Sequence, residues 1–178
     1  MILYEYPLSE RIRTYLRLEH LHNRLAQLVP REHALDHHFA LACIFEILDV
    51  ASRADLKSDA LKDLERQKQA LAHFRGNPSI AEGALEQVIG QLESCFATLN
   101  AQTGKAGASL ADNEWLTSLC SRMSIPAGTC GFDLPAYLAW QHRDAAFRRN
   151  QIVGWATTLA PLADAVDLLL RLLRESAG

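Results

Sequence analysis

An all-α fold, a bundle of about seven helices carrying one short N-terminal β-strand, is predicted by three features of this 178-residue sequence. Apolar residues recur at three- and four-residue spacing over most of its length. Proline and glycine gather at a few interruptions, such as "GNP" at 76–78 and "SIPAGTCGFDLPAY" at 124–137. An apolar content of 49% supports one sizeable core, so the reading is a single helical domain over 1–178.

The elements follow in order. "MILYEYPL" sets Ile2, Tyr4 and Tyr6 against Leu3 and Glu5 and stops at Pro7, the alternation of a short strand over 1–8. Ser9 is placed to cap a first helix that runs to about Leu28 and ends before Pro30. "ALDHHFALACIFEILDVAS" is apolar on nearly all sides, which predicts a central helix. Residues 55–74 space Leu61, Leu64, Leu71 and Phe74 as one apolar face. Ser79 and Glu82 have the spacing of a capping box, before a helix carrying Leu85, Val88, Ile89, Leu92, Phe96 and Leu99 on one side. Ser109 and Asp112 repeat that spacing before a helix to about Met123. In the proline-rich stretch, Pro126 and Gly128 turn the chain and Gly131 permits a tight backbone. Asp133 caps a short helix with Pro135 in its first turn, and Phe132, Leu134, Tyr137 and Trp140 anchor it. A helix over about 144–159 breaks near Pro161, and a last one reaches about Glu175.

Charge narrows the function. A net charge of −3 and a pI near 6.1 offer no global basic field for nucleic acid or an anionic membrane surface, so neither is expected as a partner. No apolar run approaches the roughly 18 residues of a membrane span, and a soluble cytoplasmic protein is the expectation. Cys43, Cys95, Cys120 and Cys130 show no CxxC pairing, which argues against a zinc knuckle or dithiol motif and for reduced thiols.

Three constellations carry possible chemistry. Cys130 in its turn, with His142 as the one nearby histidine, is the pattern of a thiol hydrolase, but also of a structural thiol in an elbow. His33 and His37 stand four apart and could share a metal; histidines near a helix start have the same spacing, and no glutamate or third ligand accompanies them. On the first helix Arg13, Arg17, His20 and Arg24 fall within an arc of roughly 60°, a basic stripe beside the apolar face of Leu18, Leu21, Leu25 and Val29. Such a stripe suits an acidic partner, and so does a solvated face whose arginines pair with neighbouring carboxylates.

Four stretches, "ILYEYPLSERIRTYLRLEHL", "EILDVASR", "SIPAGTCGFDLPAYLAW" and "WATTLAPLADAVDLLLRLLRESA", resemble the ZapD family of bacterial cell-division proteins. The likeness runs in order from Ile2 to Ala177 and is loosest over 76–108. It implies a non-enzymatic adaptor without cofactor or metal at the division site. Such an adaptor binds the C-terminal peptide of FtsZ through a positively charged pocket and, as a homodimer, crosslinks and bundles FtsZ filaments. The resemblance also implies a β-domain of roughly 70 residues beginning near Gly178, which the strand at 1–8 would join. Carried onto this sequence, the partner-binding candidates are Arg13, Arg17, Arg53 and Lys57, with Arg24 completing the stripe. Asp112 and Glu114 stand where the family pattern has a basic residue before the sixth helix. The competing readings are a thiol- or metal-dependent hydrolase, and a helical interaction module for another acidic partner.

Overall fold

The computed structural model describes residues 4–53 and 55–176, without the side chain of Arg53. Among the described residues there are nine helices and no strand: α1 (Glu10–Leu28), α2 (Ala34–Arg53), α3 (Leu56–Ala72), α4 (Glu82–Ala101), α5 (Ala108–Ala111), α6 (Glu114–Met123), α7 (Pro135–Gln141), α8 (Ala145–Thr157) and α9 (Ala160–Ser176).

The all-α class holds, with two corrections. The count exceeds the expected seven, in part because the stretch read as one helix to about Met123 is two, the single turn α5 and the longer α6. The expected strand is not formed over 4–8, and its first three residues lie outside the described part. A strand needs a ladder partner, and among the described residues no other segment is extended to offer one. The segment is held by ions instead. Glu5 takes two hydrogen bonds from the Arg174 guanidinium, at 2.6 and 3.0 Å, and the same group bonds both oxygens of Glu19 on α1. That contact holds the Glu5 carboxyl below its usual range.

Packing follows the periodicity. α1 lies along α2, and its stripe Leu18, Leu21 and Leu25 is buried there with Tyr15. α2 contributes Ala40, Leu41, Cys43, Ile44 and Ile47 to the core and also meets α3, α6 and α8. α9 closes the other side, against α1, α3, α4 and α8. Its buried face, Leu162, Ala165, Val166, Leu169 and Leu170, has the i, i+3, i+4 spacing of a single amphipathic stripe. Each leucine so buried contributes about 1.5–3 kcal/mol before chain entropy is counted. Pro161 sits in the first turn of α9, where the missing N–H leaves no gap in the ladder.

The helix starts differ from expectation in detail. Ser9 precedes α1 without a side-chain cap bond. Ser79 gives its N–H to Asn77 Oδ1 at 3.0 Å, so the chain is still turning there, and α4 begins after Ala81. Ser109 lies inside α5, and α6 is capped by Asn113, whose Oδ1 accepts from Leu116 N. Asp133 is drawn to Cys130 Sγ, so α7 starts after Leu134 without a side-chain cap. Phe74 lies beyond α3, half-exposed.

The elbow at 124–134 is a set of successive turns, with a left-handed residue that is not a glycine. Ala127 has φ 56°. Gly128 is there for space, since a Cβ on it would stand 2.5 Å from the Arg122 carbonyl oxygen. Tyr137 and Trp140 anchor the elbow as expected, at 2% and 6% exposure, but Phe132 is 86% exposed.

Candidate functional site

The basic stripe forms as a stripe, but its charges are partly answered. Arg13 and Arg17 both reach Glu10, at 3.1 and 3.4 Å, and Arg13 Nε also donates to the Pro7 carbonyl. Arg24 lies 3.9 Å from Glu46 on α2 and meets His20 at 3.0 Å. Arg17, His20 and Arg24 line one wall of an open groove of about 440 Å³ between α1 and α2, with Leu16, Leu21 and Val50 as its apolar surface. The α2 wall carries Glu46 and Asp49.

The five predicted residues are not all gathered. Arg13 lies one turn before Arg17 on α1, outside the groove lining. Lys57, at the start of α3, caps the end of α4, where its Nζ donates to the carbonyls of Gln102 and Gly104. The backbone of Arg53 ends α2, one turn beyond Asp49, and its side chain lies outside the described residues.

The catalytic alternatives do not assemble. His142 turns back onto its own helix, with Nδ1 at 2.9 Å from the Leu138 carbonyl, while the Cys130 thiol faces Asp133 Oδ2 at 3.4 Å. A thiol whose bonded neighbour is a carboxylate, with no histidine at hand, lacks the electropositive setting a nucleophile needs. Burial pushes the other three thiols, Cys43, Cys95 and Cys120, upward.

His33 and His37 part company as well. His33 precedes α2 and accepts from Leu35 N through Nδ1, whereas His37 is buried. His37 Nδ1 accepts from Arg148 Nε at 3.0 Å and Nε2 donates to the Val29 carbonyl at 3.4 Å, which specifies one neutral tautomer and leaves no lone pair for a metal. Among the described residues no three histidine, cysteine or acidic side chains are grouped to hold an ion.

The histidine environment predicts a pH response. Burial holds His22, His37 and His38 below the usual imidazole value, and the Arg148 guanidinium adds to the effect at His37. The unfolded chain therefore binds more protons than the folded one from about pH 6.5 downward, and stability falls as pH drops through that window. Urea midpoints at pH 7.5 and 5.5 should show the loss, and His37→Gln should shrink the difference between them. Equal midpoints at the two pH values would contradict this assignment.

A second cleft went unseen in the sequence. All three tryptophans of the chain meet at one place: Trp115 of α6 stacks on Trp155 of α8, centroids 5.4 Å apart and planes at 23°, and lies 5.5 Å from Trp140 of α7. Trp140 Nε1 donates to Gln151 Oε1 at 2.7 Å. The Arg143 guanidinium lies 3.9 Å from the centre of the Phe147 ring at the rim. The one advance signal was composition, since the tryptophans at 115, 140 and 155 all fall in the second half of the chain without a shared helical period.

Comparison with known proteins agrees with the resemblance. Residues 16–178 match the family described as ZapD, cell division protein. The cell division protein ZapD of Ralstonia pickettii (strain 12J) is 59% identical over 176 residues, which is 99% of this chain and 70% of that protein. Its counterparts in Cupriavidus metallidurans and Ralstonia nicotianae are each 60% identical over the same shares. With the match running through α1–α9 and identity near 60% over almost every residue, the chain belongs to the ZapD family of cell-division proteins.

Proposed function

We propose that this chain is a non-enzymatic adaptor of the cytoplasmic division machinery that binds the C-terminal peptide of FtsZ in the groove between α1 and α2. As a homodimer it crosslinks and bundles FtsZ filaments, stabilising the Z-ring. The observation that carries this reading is the groove itself: two guanidinium groups, Arg17 and Arg24, stand one above the other beside an apolar floor. Guanidinium forks suit peptide carboxylates, and the floor suits an apolar side chain between them. A peptide carboxylate at Arg24 would take the place now held by Glu46, which lies at the long end of an ion-pair distance. Arg13, one turn before Arg17 on α1, would extend the positive field toward the incoming chain. Dimerisation turns one weak peptide site per subunit into a bridge through effective concentration, with no new contact chemistry.

The test is fluorescence anisotropy with a labelled FtsZ C-terminal peptide. Arg17 is exposed and bonded only through its tip, so Arg17→Glu should reverse the local field and leave the fold intact. One charge-assisted contact is worth about 1.5–3 kcal/mol, so binding should weaken at least about tenfold, more at low salt than at high. Lys68→Glu on α3, where Lys68 pairs with Glu65 of the same helix, should change little. Identical affinities and melting temperatures for the two variants would remove the groove from the account. Equal binding of unrelated acidic peptides would favour a general acidic-partner module.

A further inference from the structure

The groove leaves the aromatic cleft of α6, α7 and α8 without a role. This cleft encloses about 350 Å³, open to solvent, and its lining includes no acidic side chain. The amides Asn113 and Gln151 also line it, but their side-chain oxygens already accept from Leu116 N and Trp140 Nε1. Arg143 is exposed, stacked on Phe147 and without a carboxylate partner among the described residues. The indole N–H groups of Trp115 and Trp155 likewise have no acceptor among the described residues, and neither is buried out of reach of solvent. An aromatic floor, a cation and two spare donors together describe an acceptor for an anion attached to a flat, apolar body.

The α7 wall decides between a compact ligand and a chain. Ala136 and Ala139 are exposed there, and their small side chains let a backbone approach the indole rings closely. Tryptophan-lined grooves favour proline, because its ring packs flat on indole and its preset backbone has little entropy to lose on binding. Charge complementarity with Arg143 then asks for a carboxylate next to that proline.

We infer that the cleft bounded by Trp115, Trp140 and Trp155 is a peptide-docking site that takes a proline flanked by an acidic residue from a partner protein. The proline packs on the indole rings, and the carboxylate bonds Arg143 at the rim. This site is separate from the α1/α2 groove and does not depend on the FtsZ reading. A chain with both sites engages two peptides at once.

The three tryptophans are the only ones in the chain, so intrinsic fluorescence reports on this cleft directly. The probe is a synthetic acetylated and amidated peptide of alternating proline and glutamate, compared with its proline–lysine counterpart. A saturable change in emission is expected with the glutamate peptide only, weaker at high salt. Arg143→Glu should weaken it by about tenfold or more. Ala139→Glu, on the exposed face of α7, should do the same with no change at Arg143, and melts run alongside confirm that both variants are folded. Arg17→Glu should leave the signal unchanged, which separates this site from the groove. No saturable response, equal binding of the lysine peptide, or indifference to both cleft variants would overturn the assignment. Tighter binding of an oligothymidylate than of the glutamate peptide would overturn the class of ligand.

Discussion

Arg148→Ala should lower the stability of the fold by about 3–5 kcal/mol. Arg148 is 5% exposed and has no carboxylate partner among the described residues; its charge is spread over oxygen and nitrogen lone pairs. Nε donates to His37 Nδ1 at 3.0 Å, and the terminal nitrogens donate to the carbonyls of Gln141, Arg143 and Glu32. These acceptors come from the end of α7 and the turn after it, from the turn before α2 and from α2 itself. One side chain therefore ties the last third of the chain to the first. Neighbouring Arg149 reinforces the joint through the Val29 and Pro30 carbonyls. Truncation strands four acceptors, each costing about 1–3 kcal/mol where water cannot reach it, and partial hydration keeps the sum below the arithmetic maximum. Urea unfolding measures the loss. Arg148→Lys keeps the charge but not the planar fork, and should recover only part of it. A change below about 1 kcal/mol for Arg148→Ala would mean that the turns are held by something else.

Asp63→Ala should cost about 3 kcal/mol, for a related reason. Asp63 lies on the buried face of α3, accepts from the Tyr15 hydroxyl at 2.8 Å and from Arg11 Nη1 at 2.9 Å, and is bridged by Arg66 one turn on. Burial and the bond to Asp63 push the Tyr15 phenol well above its usual range, so it stays a donor at any working pH. Removing the carboxylate leaves that hydroxyl without an acceptor in a site 1% exposed. Tyr15→Phe removes the donor instead and should cost only about 1 kcal/mol, because Asp63 keeps both arginines. The double variant should lose less than the two single losses added, a coupling that thermal melts of all four proteins can measure. Strict additivity would show that the pair does not act as a unit.

These two hubs mark where the sequence was legible and where it was not. The apolar faces of α1, α4 and α9 were readable because a helix pays for its amphipathic period locally, residue by residue, and Leu18, Leu85, Ile89 and Leu92 are buried where that period puts them. Asp63 and Arg148 were missed because each falls at a core-facing position of its own helix, where a charge reads as a break in the pattern. Its partners lie 48 residues away for Asp63–Tyr15 and 111 for Arg148–His37. The capping boxes failed for a local reason: Asn77 and Asn113 had the same capacity as Ser79 and Ser109 and took the turn instead.

The same division runs through the candidate sites. The arc of Arg13, Arg17, His20 and Arg24 is a property of one helix, so the sequence determined it completely, together with the all-α class and the family. Of those charges, Arg13 and Arg17 meet Glu10 of their own helix, and tertiary structure decided only that Arg24 meets a carboxylate from another, since Glu46 comes from α2. It also set Lys57 against the end of α4 instead of the stripe, and it brought Trp115, Trp140 and Trp155 from three helices into one cleft. Helical periodicity is carried by neighbours three and four residues apart and can be read from a string. Pairing between helices depends on how whole faces pack, and no short stretch of sequence contains both sides of such a contact.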